Sequence, residues 1–206
     1  RAELERSGAR AFATSMDVSS PDTIGAAVAA SVAALGPIDI LVNNAGVTLA
    51  TSLLETTEDD WNRVLDTNLR GAWLCAREVA GRAIEAGRPA VIVNIASVLG
   101  IMTQKGTGPY ASSKAGLLHL TRVMASEWAR HRIRVNAIAP GYIATDMADG
   151  FLESERGRKL VGAIPQRRVG SVDDLAGAIL LLASDASAYM TGSTITVDGG
   201  ITLGSL

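Results

Sequence analysis

Short β-branched runs alternating with longer helical stretches predict an α/β protein built on a parallel sheet. Two of the runs, Ile38-Asp39-Ile40-Leu41-Val42 and Val91-Ile92-Val93, are nearly unbroken apolar segments, as strands covered on both faces must be. A length of 206 residues suits one domain with a sizeable core. No internal repeat, low-complexity tract or linker composition divides the chain, so residues 1–206 are expected to form a single domain.

The elements follow in order. Arg1-Ala2-Glu3-Leu4-Glu5-Arg6 reads as the tail of a helix, and Ala11 to Met16 reads as a strand. A helix over about 21 to 35 opens with Ser20-Pro21-Asp22, which puts proline at the first helical position. After the strand at Ile38 to Val42, a long helix over 57 to 85 begins at Thr57-Glu58-Asp59-Asp60, a cap followed by a turn of acids. Ala90 to Ile95 is the next strand. A helix over 109 to 130 runs into Arg130-His131-Arg132-Ile133-Arg134, where cations suit the helix dipole. Arg134 to Ala139 is a strand. The stretch from Gly141 to Gly170 holds Asp149-Gly150 and Pro165 without a long period, so it reads as a loop with short helices. Loops of that length are usually functional, which favours a lid over a mere surface connection. Ser171-Val172-Asp173-Asp174 opens a helix to 183, and Thr194 to Val197 closes the sheet.

Bulk properties exclude several classes. A net charge of −2 gives no electrostatic case for nucleic acid or acidic lipid. Apolar residues make up 48%, yet no run approaches the length of a membrane span, about 18 residues. Cys75 is the lone cysteine, so no internal disulfide can form, and a reducing cytoplasm fits. His119 and His131 lack any flanking ligand pattern, which argues against a metal site.

The chemistry centres on Tyr110-Ala111-Ser112-Ser113-Lys114, with Ser97 upstream. On a helix, residues four apart share a face, so the phenol and the ammonium stack together. The lysine charge is expected to favour the phenolate and lower the tyrosine's pKa from about 10. The bland alternative is a solvated Tyr/Lys pair. Open α/β sheets bind ligands beyond the carboxyl ends of their strands. Asp17-Val18, Asn43-Asn44-Ala45-Gly46, Ser97 and Pro140-Gly141 all fall at such ends. Asp17 could equally be a turn or cap residue, and part of the Asn43-Asn44 pair could serve only to fix its loop.

The ordered set Asp17-Val18, Asn43-Asn44-Ala45-Gly46, Asp66-Thr67-Asn68-Leu69-Arg70-Gly71, Asn94-Ile95-Ala96-Ser97, Tyr110/Lys114, Arg134-Val135-Asn136-Ala137-Ile138-Ala139-Pro140-Gly141 and Thr196-Val197-Asp198-Gly199-Gly200 resembles the short-chain dehydrogenase/reductase family. The resemblance runs through essentially the whole chain. It implies a Rossmann-type doubly wound parallel sheet and NAD- or NADP-dependent interconversion of a secondary alcohol and a ketone. It also implies that Asn68, Ser97, Tyr110 and Lys114 are catalytic. Tyr110 would exchange a proton with the substrate oxygen and Ser97 would hydrogen-bond that oxygen. Lys114 would tune Tyr110 and hold the nicotinamide ribose, and Asn68 would anchor a water that relays protons to the lysine. Asn136 is expected to be structural.

By the same resemblance, Asp17 and Val18 would meet the adenine, and Asn44, Ala45 and Gly46 the adenosine ribose. Pro140 and Gly141 lead into Ile143 and Thr145, which would hold the nicotinamide carboxamide. Val98 to Gln104, Tyr142 and Met147 to Leu152 would surround a small carbonyl or alcohol substrate, as in the family's sugar-acid dehydrogenases and 3-oxoacyl carrier-protein reductases. The long helices 57–85 and 109–130, with Asp198 to Leu206, would pair copies into a homodimer or homotetramer. A non-catalytic dinucleotide-binding or scaffold protein, or an inactive fragment, is the alternative.

The family's opening strand and Thr-Gly-x-x-x-Gly-x-Gly turn, part of a βαβ unit of about 30 residues, are not in this sequence. In the usual strand order 3-2-1-4-5-6 the first two strands lie between the third and the fourth. Without them residues 10 to 16 would stand away from the sheet, so the working protein is expected to carry them. The charge that separates NAD from NADP lies at the end of the second strand, so the choice is not readable.

Overall fold

The computed structural model describes residues 2–144 and 155–204. Four strands, β1 (Ile40–Asn43), β2 (Ala90–Ile95), β3 (Ile133–Pro140) and β4 (Thr194–Val197), pair in chain order, all parallel. The register sets Asn43 beside Asn94 and Ile95 beside Ile138. All four carboxyl ends therefore lie along one edge of the sheet.

The helices are α1 (Ala2–Arg6), α2 (Pro21–Leu35), α3 (Glu58–Leu65), α4 (Ala72–Glu85), α5 (Gly108–Trp128), α6 (Glu155–Ala163) and α7 (Ala176–Ala183). Alternation along the strands sends side chains to opposite faces. Ile92, Ile133 and Val135 pack with Ala76, Ala80 and Ala83 of α4 and Met124 and Ala125 of α5. Val93 and Ile138 face the other way, onto Leu182 of α7. The sheet is thus sandwiched between helical layers, as its unbroken apolar runs require. Each fully buried Ile or Leu contributes about 1.5–3 kcal/mol.

Two features differ from the sequence expectation. The helix expected over 57 to 85 opens as foreseen, with Thr57 Oγ1 accepting from Asp60 N at 3.1 Å, but it is not continuous. A six-residue π-helical stretch, Asp66–Gly71, separates α3 from α4. At its end Gly71 packs tightly: a Cβ there would lie 2.8 Å from the Val18 carbonyl oxygen, so only glycine admits that approach.

The strand expected at Ala11 to Met16 does not form. A strand needs a neighbour's N–H and C=O groups, and among the described residues none lies alongside this segment. It runs without a ladder into the turn at Asp17, where Ser20 N donates to the Asp17 carbonyl at 3.1 Å. The edge strand β1 leaves Ile40 and Val42 exposed at 45% and 41%. Among the described residues no helix is long and apolar enough to cross a membrane, and no group of side chains could hold a metal ion.

Candidate active site

Helix α5 carries the core of the site. Its buried positions, Lys114, Leu117, Leu118, Thr121, Met124 and Ala125, recur at three- and four-residue intervals and turn one face to the sheet. Tyr110 and Lys114 lie one turn apart on that face, with Lys114 Nζ 5.6 Å from the Tyr110 ring centroid. Nζ donates to the Ile95 carbonyl at 2.8 Å, at the end of β2. Burial draws the ammonium down from 10.5 to about 8. The Tyr110 phenol is pushed up by burial, and its hydrogen bond with Ser97 pulls the other way. The expected lowering of Tyr110 by Lys114 is therefore not what the free site displays. Desolvation dominates, because both groups have left water and the ammonium is directed to a backbone carbonyl.

Ser97 follows β2 and caps a short 3₁₀ turn, Val98–Gly100, its Oγ accepting from Leu99 N at 3.1 Å. Gly100 lets this turn lie against α5, since a Cβ there would come within 2.8 Å of the Lys114 carbonyl carbon. That close approach brings the Ser97 hydroxyl to Tyr110.

Asn68 lies in the π-helical stretch with 1% of its surface exposed. Its Oδ1 accepts from Val47 N at 2.8 Å, and its Nδ2 donates to the Val47 carbonyl at 2.9 Å and to Ser113 Oγ at 3.0 Å. Ser113 Oγ in turn donates to the Tyr110 carbonyl at 2.7 Å. An asparagine that is unfavourable in a regular helix is here clamped between the loop after β1 and the second turn of α5. Gly46 sits against the clamp: a Cβ there would lie 3.3 Å from Asn68 Oδ1 and 3.6 Å from Lys114 Nζ.

A cavity of about 560 Å³ at the carboxyl edge gathers Asn44, Gly46, Ser97, Tyr110, Lys114, Pro140, Gly141 and Ile143 on its wall. Val18, Asn44 and Ala45 line a second cavity of about 170 Å³, with Asn44 common to both. Asn68 stands behind the first wall rather than on it. Asp17 lines neither: its Oδ1 accepts from Ser19 N at 2.9 Å and from Ser19 Oγ at 2.7 Å, which makes it a turn residue in the free chain. Asn43 is structural, donating to Asn94 Oδ1 at 2.9 Å and to the Ala72 carbonyl at 3.0 Å. Asn136 is likewise structural, donating to the Met190 carbonyl at 2.9 Å. Thr145 and Met147 to Leu152 lie outside the described residues.

Val98, Leu99 and Tyr142 of the expected substrate surround are on the cavity wall, joined by Val47, Thr48, Val172 and Leu175, which sequence reasoning missed. Ser113 was missed as well. Its one signal was adjacency to Lys114.

The site fits a dinucleotide. An ammonium has three N–H donors; one of Lys114's is directed to Ile95, which leaves two for ligand oxygens such as ribose hydroxyls. Gly46 lets backbone approach a ligand closely beside them. A parallel sheet with such a cavity at its carboxyl edge has the arrangement of a Rossmann-type dinucleotide-binding fold.

Comparison with known proteins narrows the class. The family described as Enoyl-(Acyl carrier protein) reductase matches residues 1–202. The 2-dehydro-3-deoxy-D-gluconate 5-dehydrogenase of Escherichia coli K12 is 41% identical over 94% of this chain and 77% of its own length. A 3-oxoacyl-(acyl-carrier-protein) reductase of Staphylococcus aureus is 37% identical over 97% of this chain and 80% of its own. The crystal structure of a gluconate 5-dehydrogenase from Burkholderia cenocepacia J2315, in complex with NADP and tartrate, is 35% identical. It superposes with a TM-score of 0.93 over 99% of this chain and 80% of that one. The chain belongs to the short-chain dehydrogenase/reductase family, NAD- or NADP-dependent oxidoreductases that interconvert secondary alcohols and ketones.

Proposed function

We propose that Tyr110 is the general acid/base of this oxidoreductase, assisted by Ser97 and Lys114, and that the substrate is a small hydroxy or keto acid of the sugar-acid kind. The observation that carries the assignment is the convergence of the three side chains on one cavity at the carboxyl edge of the sheet. Relatives named for gluconate-type substrates support the substrate class. The relative named for 3-oxoacyl reduction supports a second reading, a β-ketoacyl substrate, which the apolar wall groups Val98, Leu99, Val172 and Leu175 also suit.

When bound, the nicotinamide dinucleotide supplies or accepts the hydride. In reduction, Tyr110 Oη gives its proton to the substrate oxygen as charge grows there, and in oxidation the phenolate takes it back. Ser97 Oγ donates a hydrogen bond to the same oxygen. Lys114 stabilises the phenolate by charge and offers its free donors to ribose hydroxyls. Asn68 and Ser113 fix the positions of Gly46-Val47 and of the Tyr110 turn. Asn44, Ala45, Gly46 and Val18 line the adenosine side; Asp17 meets the adenine once its turn accommodates the ligand. Pro140, Gly141, Ile143 and Thr145 hold the nicotinamide side.

Two copies or four assemble through α4 and α5, where Trp73 and Val123 remain exposed in the single chain, and the protein works in the cytoplasm. Sedimentation showing only monomer at micromolar concentration would remove the assembly. The reaction itself is tested by following nicotinamide absorbance with NAD and NADP against D-gluconate, and with NADH and NADPH against ethyl acetoacetate. Turnover of the first pair supports the sugar-acid reading, turnover of the second alone supports the β-ketoacyl reading, and turnover of neither contradicts both.

A further inference from the structure

We infer that a cleft along the amino edge of the sheet binds a small organic anion with an apolar body, held by Arg132 and Tyr189. The cleft has a volume of about 820 Å³. Asp39 and Ile40 at the start of β1, Pro89 at the start of β2 and Arg132 and Arg134 at the start of β3 line it. Asp185 and Tyr189, from the connection between α7 and β4, line it as well. The cavity that holds Tyr110 lies at the opposite ends of these strands and shares no residue with this cleft. The site is therefore independent of the reaction proposed above.

Arg132 carries the assignment. Its backbone has φ 62° and ψ 31°, the left-handed conformation that glycine takes freely and a residue with a Cβ seldom does. Residues 129–134 bring three arginines and no acid. The dipole of α5 accounts for cations here, but Arg130 and His131 already meet it, and it gives no reason for a side chain on the left-handed residue. The Arg132 guanidinium donates one N–H to the Gly87 carbonyl, which anchors it beside the cleft and leaves four donors. Among the described residues no carboxylate pairs with it. The other charges of the cleft are already matched. Asp39 pairs with Arg88 at 2.7 Å, and Asp185 acts on the charge of Arg134. Arg134 also donates to Ser187 Oγ at 2.9 Å and to the Leu182 and Ser184 carbonyls at 3.1 Å. Arg132 is the surplus positive charge.

These leftovers define the ligand. A planar guanidinium fork matches a carboxylate in both charge and geometry. The surrounding lining is largely apolar, with Ile40, Pro89, Val91 and Ala188. Tyr189 is fully exposed, which leaves both ring faces for a flat ligand to stack on. One carboxylate on an apolar, planar body satisfies all three features.

The test is calorimetric titration of the whole chain with 2-naphthoate and with its uncharged counterpart 2-naphthamide, each with and without NADH. A single 2-naphthoate should bind per chain, roughly tenfold tighter than 2-naphthamide, and NADH should not displace it. Arg132→Gly suits the left-handed backbone, so that chain should fold as wild type does by circular dichroism and lose roughly tenfold in 2-naphthoate affinity. Tyr189→Ala should lose roughly severalfold. Equal affinity for the two probes would reduce the cleft to an apolar surface and overturn the site. Displacement by NADH would put the anion in the Tyr110 cavity instead. Unchanged binding in either variant, or no binding by wild type, would also overturn it. Should Arg132→Gly fail to fold, Tyr189→Ala and the 2-naphthamide comparison decide the question.

Discussion

The two flanks of the cleft are built on opposite principles. Around α5 the polar groups are buried and mutually satisfied: Asn68 holds Val47 and Ser113, Ser113 holds Tyr110, and Lys114 holds Ile95. Around Asp17 the segment from Ala11 onward has no ladder, and the hydrogen bonds of Asp17 itself are local and exposed. A buried network fixes geometry because any broken member leaves an unpaired group in a low-dielectric interior. An exposed turn exchanges its bonds with water at little cost. On the proposed reading, the chemistry sits on the flank that cannot relax, and the adenine side on the one that can.

Variants can break this contrast. Lys114→Met should have the largest effect of those considered first, a loss of turnover on the order of a hundredfold or more, measured as kcat at constant cofactor saturation. It has a second signature. Lys114 is drawn by burial from 10.5 to about 8, so between those values this side chain binds fewer protons in the folded protein than in the unfolded chain. Its contribution to stability should therefore rise with pH across that window, and chemical denaturation of the Met variant should lack that contribution.

Asn68→Ala comes next. It unpairs the N–H and C=O of Val47 and should destabilise the fold by about 1–3 kcal/mol, seen in urea melts, with a fall in kcat as the Tyr110 turn loosens. Ser113→Ala should act in the same direction and more weakly, since Asn68 keeps its grip on Val47. Equal melting midpoints for wild type and both variants would contradict the buried-network account. Asp17→Ala should be the mildest, leaving the unfolding midpoint nearly in place and weakening NADH or NADPH binding roughly severalfold at most, by fluorescence titration. A large loss of stability there would erase the difference between the flanks.

The sheet was legible because its strands are continuous apolar runs, and β2 was expected at the residues it occupies, with β1 and β3 within two residues at either end. Ala11 to Met16 has strand composition too, but composition supplies no partner, and pairing decides. The π-helical stretch was hidden for a related reason. Asn68 in a helix signalled something unusual, while the backbone geometry depends on Val47 and Ser113, remote in sequence. Ser97, Tyr110 and Lys114 were legible as residue types at a telling spacing. Val47, Val172 and Leu175 were not, because apolar wall residues carry no pattern of their own until the sheet brings them to one edge. The direction of the Tyr110 shift was misjudged, because burial cannot be read from a four-residue spacing.

The most direct measurement is Tyr110→Phe, assayed for turnover and for NADH and NADPH affinity on the same sample. The change removes one hydroxyl and keeps the ring over which Lys114 lies. The account predicts that turnover falls by roughly two to four orders of magnitude while dinucleotide affinity stays nearly intact. Activity close to wild type would show that the proton moves elsewhere and would contradict the assignment of Tyr110.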